Sequence, residues 1–358
     1  MKHTLPLLAI VLLAFTSCKV EFSPNAPWRD VPSVYCVLDI ESDTVWARVQ
    51  RCYLGEDNLY NYSTIADSNY YLPDDISVHL LAWKGVHGPY NSITATNTLV
   101  DRWEFTYTER PGKPDGNFPS GIQPLYYCTP GQRFVKDSDC VFQIVVLRNP
   151  TGDTLAKATT TMVGFIPLTI HRRDTSEDVL INPSTLKNHE FGYIIGCRGY
   201  IDFYTLPRGR LYQPYITFYY EKNHDTLGFD IFGGTTSNPG NASRLTSTPI
   251  SQQHFLSVVK SHLLDNTDTL YNVNHVDIHI AVCNEDLSAY IKSQDPTVTG
   301  GQDFHSYSNI EGGVGIFGSR REHIVFRVPC DSTGKEGYLP SQLRNLGVGF
   351  YGYFGQDK

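Results

Sequence analysis

From Pro32 onward the chain alternates apolar and polar residues with a period of two. In "SVYCVLD" and "TVWARVQRCYLG" Val, Cys, Leu or Ala recurs at alternate positions, as a strand with one buried face requires. "IESD" between them is a turn-type run, so the pair reads as a hairpin. "ISVHLLAWKG", "RWEFTYTE", "QPLYYCTPG" and "CVFQIVVLRNPTGDTLAKATTTMV" continue the pattern, the last holding two strands around Asn149 to Asp153. Short strands between turns, with no long amphipathic helix, predict an all-β fold. Residues 28–165 read as an immunoglobulin-like β-sandwich, with the last run as its closing hairpin.

Residues 166–358 read as a second β-rich domain. Its strand-like runs are "GYIIGCRGYIDFYTL", "YQPYITFYYEK", "DTLGFDIFGG", "HVDIHIAVC", "HIVFRVP" and "LGVGFYGYFG". Two helices interrupt them. Ser251 is placed to cap a helix near 251–264, where Phe255, Val258, Val259 and Leu263 share a face. A shorter helix near 284–292 spaces Leu287, Tyr290 and Ile291 for one buried stripe.

The first residues follow a different logic. "MKHTLPLLAIVLLAFTSC" has a basic start at Lys2 and His3, an apolar run from Leu5 to Phe15, and small residues before Cys18. The run is shorter than the roughly 20 residues a spanning helix needs, so 1–17 reads as a signal peptide. Thr16-Ser17-Cys18 resembles the bacterial lipobox, with Phe15 where Leu is usual. Cys18 is then the lipid-attachment residue, and 18–27, polar and holding Pro24, is a tether. The formal charge is 29 − 37 = −8, and removal of Lys2 with the signal takes it to −9. No basic block interrupts this, which argues against a nucleic-acid partner.

Gly313-x-Gly315-x-x-Gly318 has the spacing of a dinucleotide fingerprint, but that motif needs a helix to begin within it. "GIFGSRR" is a poor helix start and a strand-like run follows, so Gly312, Gly313, Gly315 and Gly318 read as a structural turn. No cofactor is expected. His275, Asp277 and His279 fall on one strand face, with Val276, Ile278 and Ile280 on the other. Two imidazoles and a carboxylate suit a transition metal, and a polar outer strand face is the plainer reading.

No G-x-S-x-G elbow or HExxH motif is present. The paired acids of "YLPDDIS" and "HRRDTSED" are the only hint of glycosidase carboxylates. Of the cysteines after Cys18, at 36, 52, 128, 140, 197, 283 and 330, none has zinc-ligand spacing. Cys128 and Cys140 flank a turn and are the first pair to suspect of a disulfide. The chain has 23 tyrosines, several in runs such as "LYNYS" and "NYYLPDD" that suggest binding loops.

"WRDVPSVYCVLDIESDTVWARVQRCYLGEDN", "EDLSAYIK" and "SYSNIEGGVGIFGSR" resemble a family of uncharacterised Bacteroidota outer-membrane lipoproteins over most of the mature length. The resemblance implies a membrane-anchored protein of the outer membrane or cell surface. It also implies a neighbourhood of TonB-dependent transporters, one of which, or another envelope protein, would be the partner. The expected function is non-enzymatic binding through loops. The rival reading is a fimbrial subunit that donates "LGVGFYGYFG" as a strand to the next copy.

Overall fold

A computed structural model of the chain describes residues 29–52, 59–86, 91–113, 121–131, 139–164, 169–171, 178–180, 200–238, 245–250, 252–263, 271–294, 307–329 and 350–353. The signal segment, Cys18, the tether, Cys197 and Cys330 lie outside the described residues.

In the first half the strands are β1 (Pro32–Asp39), β2 (Val45–Arg51), β3 (Ile76–Lys84), β4 (Thr98–Glu104), β5 (Thr106–Lys113), β6 (Gly121–Cys128), β7 (Val141–Arg148) and β8 (Thr154–Thr161). Two short helices, α1 (Leu59–Ser63) and α2 (Ala66–Asn69), follow β2. The second half adds β9 (Thr169–His171), β10 (Asp178–Leu180), β11 (Tyr200–Tyr204), β12 (Leu211–Lys222), β13 (Asp225–Phe232), β14 (Thr236–Ser237), β15 (Leu245–Pro249), β16 (Tyr271–Cys283), β17 (Val314–Pro329) and β18 (Phe350–Tyr353). Its helices are α3 (Gln252–Leu263) and α4 (Glu285–Ser293). The fold is all-β. Among the described residues no helix is long and apolar enough to cross a membrane.

One ten-stranded sheet runs through both halves in the order β13-β12-β16-β17-β1-β2-β6-β5, with β14 and β18 attached beside it. Its junction is the parallel pair β1–β17, in which Cys36 faces Phe317 and Asp39 faces Arg320. The boundary read at 165/166 is therefore bridged by a continuous sheet. The same face of this sheet carries two apolar clusters. Over β1, β2 and β6, residues Val34, Cys36, Leu38, Ala47 and Tyr126 meet Val78, Leu80, Phe142 and Ile144 of a second sheet, β4-β3-β7-β8. Phe317 of β17 is fully buried in that cluster. Over β12 and β16, residues Ile216, Phe218, Val276, Ile278 and Ile280 meet Phe255, Val259 and Leu263 of α3. Alternation explains both, because each strand turns every second side chain to the covered face.

Several expectations need correction. "RWEFTYTE" is two strands: β4 belongs to the second sheet and β5 to the first, with Phe105 buried between them and its N–H bonded to Val78 O at 2.9 Å. The stripe expected on α4 is displaced. Leu287 sits over Gly318 and Tyr290 meets Tyr35 edge-on, whereas Ile291 is 44% exposed. The buried residue on this helix is the small Ser288. The Cys128–Cys140 bridge is not formed, since Cys128 is a free thiol. Cys36, Cys52 and Cys283 are free as well. Burial pushes the Cys128 thiol up to about 12, so it behaves as a small apolar group.

Candidate functional site

The opposite face of the ten-stranded sheet, at β13, β12, β16 and β17, holds the most concentrated chemistry. Antiparallel register sets residues in rows. Phe232 pairs with Tyr215, and Tyr215 with His279. In the next row Asp230 pairs with Thr217, and Thr217 with Asp277. Beyond it Gly228 pairs with Tyr219, whose ring stacks on His275 at 4.5 Å. An acidic row thus lies between two aromatic rows. Sequence alternation produces each strand of this grid: Tyr215, Thr217 and Tyr219 on one, His275, Asp277 and His279 on the next.

Each polar group is held. The Tyr215 ring stacks on His279 at 4.2 Å and lies 5.1 Å from Phe232. The Tyr215 hydroxyl donates to Glu322 Oε1, which also lies 3.0 Å from His279 Nδ1. Thr217 Oγ1 donates to Asp230 Oδ1 at 2.7 Å and lies 3.1 Å from His279 Nε2. Burial raises the Tyr215 phenol well above its ordinary value, and the Glu322 carboxylate beside it adds to the shift. Burial raises the Tyr219 phenol too, with Asp277 as its charged and hydrogen-bonded neighbour. Both tyrosines are therefore neutral donors at neutral pH.

The patch is deepest at Asp277 and His279 and opens towards β13, where Asp230 is exposed and Phe232 is 52% exposed. His275, Asp277 and His279 do share a face, but they do not converge. His275 Nε2 is 3.9 Å from Asp277 Oδ1, while both nitrogens of His279 turn to Thr217 and Glu322. Among the described residues no group of three His, Cys, Asp or Glu is placed to hold a metal ion.

The remaining candidates serve the scaffold. The glycine run is part turn and part strand. Gly312 and Gly313 lie in the turn, whereas Gly315 and Gly318 lie inside β17. Gly312 (φ 80°) lies where a Cβ would overlap the Leu155 carbonyl, and Gly315 (φ 119°) where it would overlap the Val34 carbonyl. A Cβ on Gly318 would lie 2.9 Å from Leu287 Cβ. These positions let β17 lie against β1 and α4 against β17, while Ile316 and Phe317 are buried.

The tyrosine-rich segment after β2 holds two short helices where a long loop was expected. Asn69 Nδ2 ties it together by donating to the carbonyls of Tyr62, Ser63 and Ile65. Tyr71 is buried and donates to Asp30 Oδ1 at 2.8 Å. Asp75, one of the paired acids, accepts from Leu72 N through Oδ2 at 3.0 Å, a turn role. Residues 172–177 of "HRRDTSED" lie outside the described residues.

Sequence reading singled out the β16 triad but not its partners Tyr215, Asp230 and Glu322. The alternation in "YQPYITFYY" was available, but which strand it faces depends on register between distant segments. No protein-family model matches the chain, and no curated protein matches it.

Proposed function

We propose that this chain is a non-enzymatic lipoprotein, anchored at the outer membrane through Cys18, which binds an envelope partner through the Phe232–Tyr215–His279 patch. A transporter of the TonB-dependent class is the first partner to test, because the resemblance of the sequence points there. The observation that carries the binding reading is the patch itself: aromatic rings alternating with carboxylates and opening at the exposed Phe232 and Asp230. Rigid aromatic side chains flanked by hydrogen-bonding groups supply contact area at small entropic loss. Loops are not the main surface in this reading.

Two substitutions on β13 leave the core untouched, because both side chains are exposed. Wild-type chain recovered from detergent-solubilised envelopes should bring down a defined partner, and Phe232→Glu with Asp230→Arg should lose it. Equal recovery by both would defeat the patch. The anchor is tested separately: fatty-acid labelling should vanish in Cys18→Ala, since the thioether needs the sulfur. The fimbrial alternative relied on the C-terminal run as a donated strand. Phe350–Tyr353 instead pairs in parallel with β16 of its own chain, at Tyr271 and Val273, which removes that support.

A further inference from the structure

A cavity of about 330 Å³ lies away from this patch, where the ends of β3, β7 and β8 meet the 206–210 turn and the first turn of α4. Its wall includes Trp83 and Lys84 of β3, Asp139, Arg208, Arg210 and Glu285. Those named ions are three cations and two carboxylates, a local excess of positive charge in a chain of net charge −8.

The two arginines are placed by a pinned turn. Gly209 N–H donates to Leu206 O at 3.1 Å, and Arg210 N–H to Cys283 O at 2.8 Å. A Cβ on Gly209 would meet the Tyr212 side chain and sit 2.9 Å from Val282 Cγ2, so the turn is also tightly packed. Arg208, just before Gly209, has φ 64°, a left-handed conformation that disfavours side chains by about 1 kcal/mol. Strain of this kind gathers where a side chain is being aimed.

Both guanidiniums have partners at the wall. Arg208 Nη2 is 3.3 Å from the Asp139 carbonyl oxygen, and Arg210 Nη2 is 3.7 Å from Glu285 Oε2. The Glu285 side chain is 80% exposed, so a competing anion displaces it without unpacking anything. Trp83 adds an aromatic wall.

We propose that this cavity binds a small organic anion, with its carboxylate or phosphate group between Arg208 and Arg210 and its body against Trp83. Planar guanidiniums suit both oxyanions, and the cavity volume suits a compact molecule.

The full chain labelled with 5-fluorotryptophan offers a direct readout, since it contains four tryptophans and Trp83→Phe identifies the relevant fluorine signal. Succinate and inorganic phosphate are titrated at constant ionic strength. At least one should shift the Trp83 signal saturably and leave the other signals in place. Arg208→Gly removes the guanidinium at a backbone angle glycine favours, so the fold is kept, and affinity should fall about tenfold or more. Glu285→Gln should tighten binding by removing the competing carboxylate. A Trp83 signal that neither anion moves would overturn the proposal, as would unchanged affinity in Arg208→Gly.

Discussion

Single positions show how little freedom the scaffold has where its layers touch. Gly315 lies in β17 at φ 119° against the Val34 carbonyl. Gly315→Ala should lower unfolding free energy by about 3 kcal/mol or more, because left-handed strain adds to a clash with backbone. Urea denaturation checks this, and a loss under about 1 kcal/mol would contradict it. The sequence made the glycine run conspicuous, but four glycines in seven residues cannot say which of them oppose a carbonyl. That is decided by β1, about 280 positions earlier in the chain.

His323 gives a second test. It lies opposite Ile280 on the covered face, and its buried Nε2 has no hydrogen-bond partner among the described residues. Burial, and then the Arg321 guanidinium, lower it from its ordinary value near 6.5 to about 4. Between those values the unfolded chain takes up a proton and the folded chain does not. Stability is therefore full above about pH 6.5 and is lost as pH falls towards about 4. Asp30 adds to acid sensitivity. Burial works against its charge, but Tyr71, Arg148 and Arg51 prevail and hold the carboxyl below its ordinary value. Denaturation curves across this range should flatten in His323→Phe relative to wild type. An unchanged pH slope would contradict the assignment.

Strands were legible wherever one face is buried, as in β1, β12 and β16, because alternation records that directly. The break at Phe105 was not, since the apolar pattern runs on while the chain changes sheets. The attachment of α4 was half legible. Asn284 sits before its first turn as an N-cap should, and its Oδ1 accepts from Leu287 N at 3.2 Å. Its other bonds are long-range: Oδ1 also accepts from Ser319 N at 3.1 Å, and Nδ2 donates to Thr160 Oγ1 at 2.7 Å and Thr161 O at 3.0 Å. One buried side chain thus ties α4 to β8 and β17. Asn284→Ala should cost about 2–4 kcal/mol, beyond a surface cap, because it strands several buried partners. Thermal and urea unfolding check it, and a change under about 1 kcal/mol would refute the staple.

The two halves of the molecule are not interchangeable with two independent units. The first core includes Phe317 and Ile310, and β1 takes its second neighbour from β17. Residues 29–164 expressed alone should bind a hydrophobic dye and give poorly dispersed amide spectra. A well-dispersed spectrum for that fragment would show that it folds without β17. The strand pattern read as two domains, 28–165 and 166–358, because the sequence carries no local mark of a parallel pair.

The binding face is tested most directly in living cells by a photo-crosslinking amino acid in place of Phe232, with Leu99 of β4 as the comparison. Both side chains are exposed, but Leu99 lies on the second sheet, away from the patch. Irradiation should give one discrete adduct from position 232, absent from position 99, and lost when Asp230→Arg is added. Absence of an adduct at 232, or the same adducts from both positions, would contradict a partner bound at the Phe232–Tyr215–His279 patch.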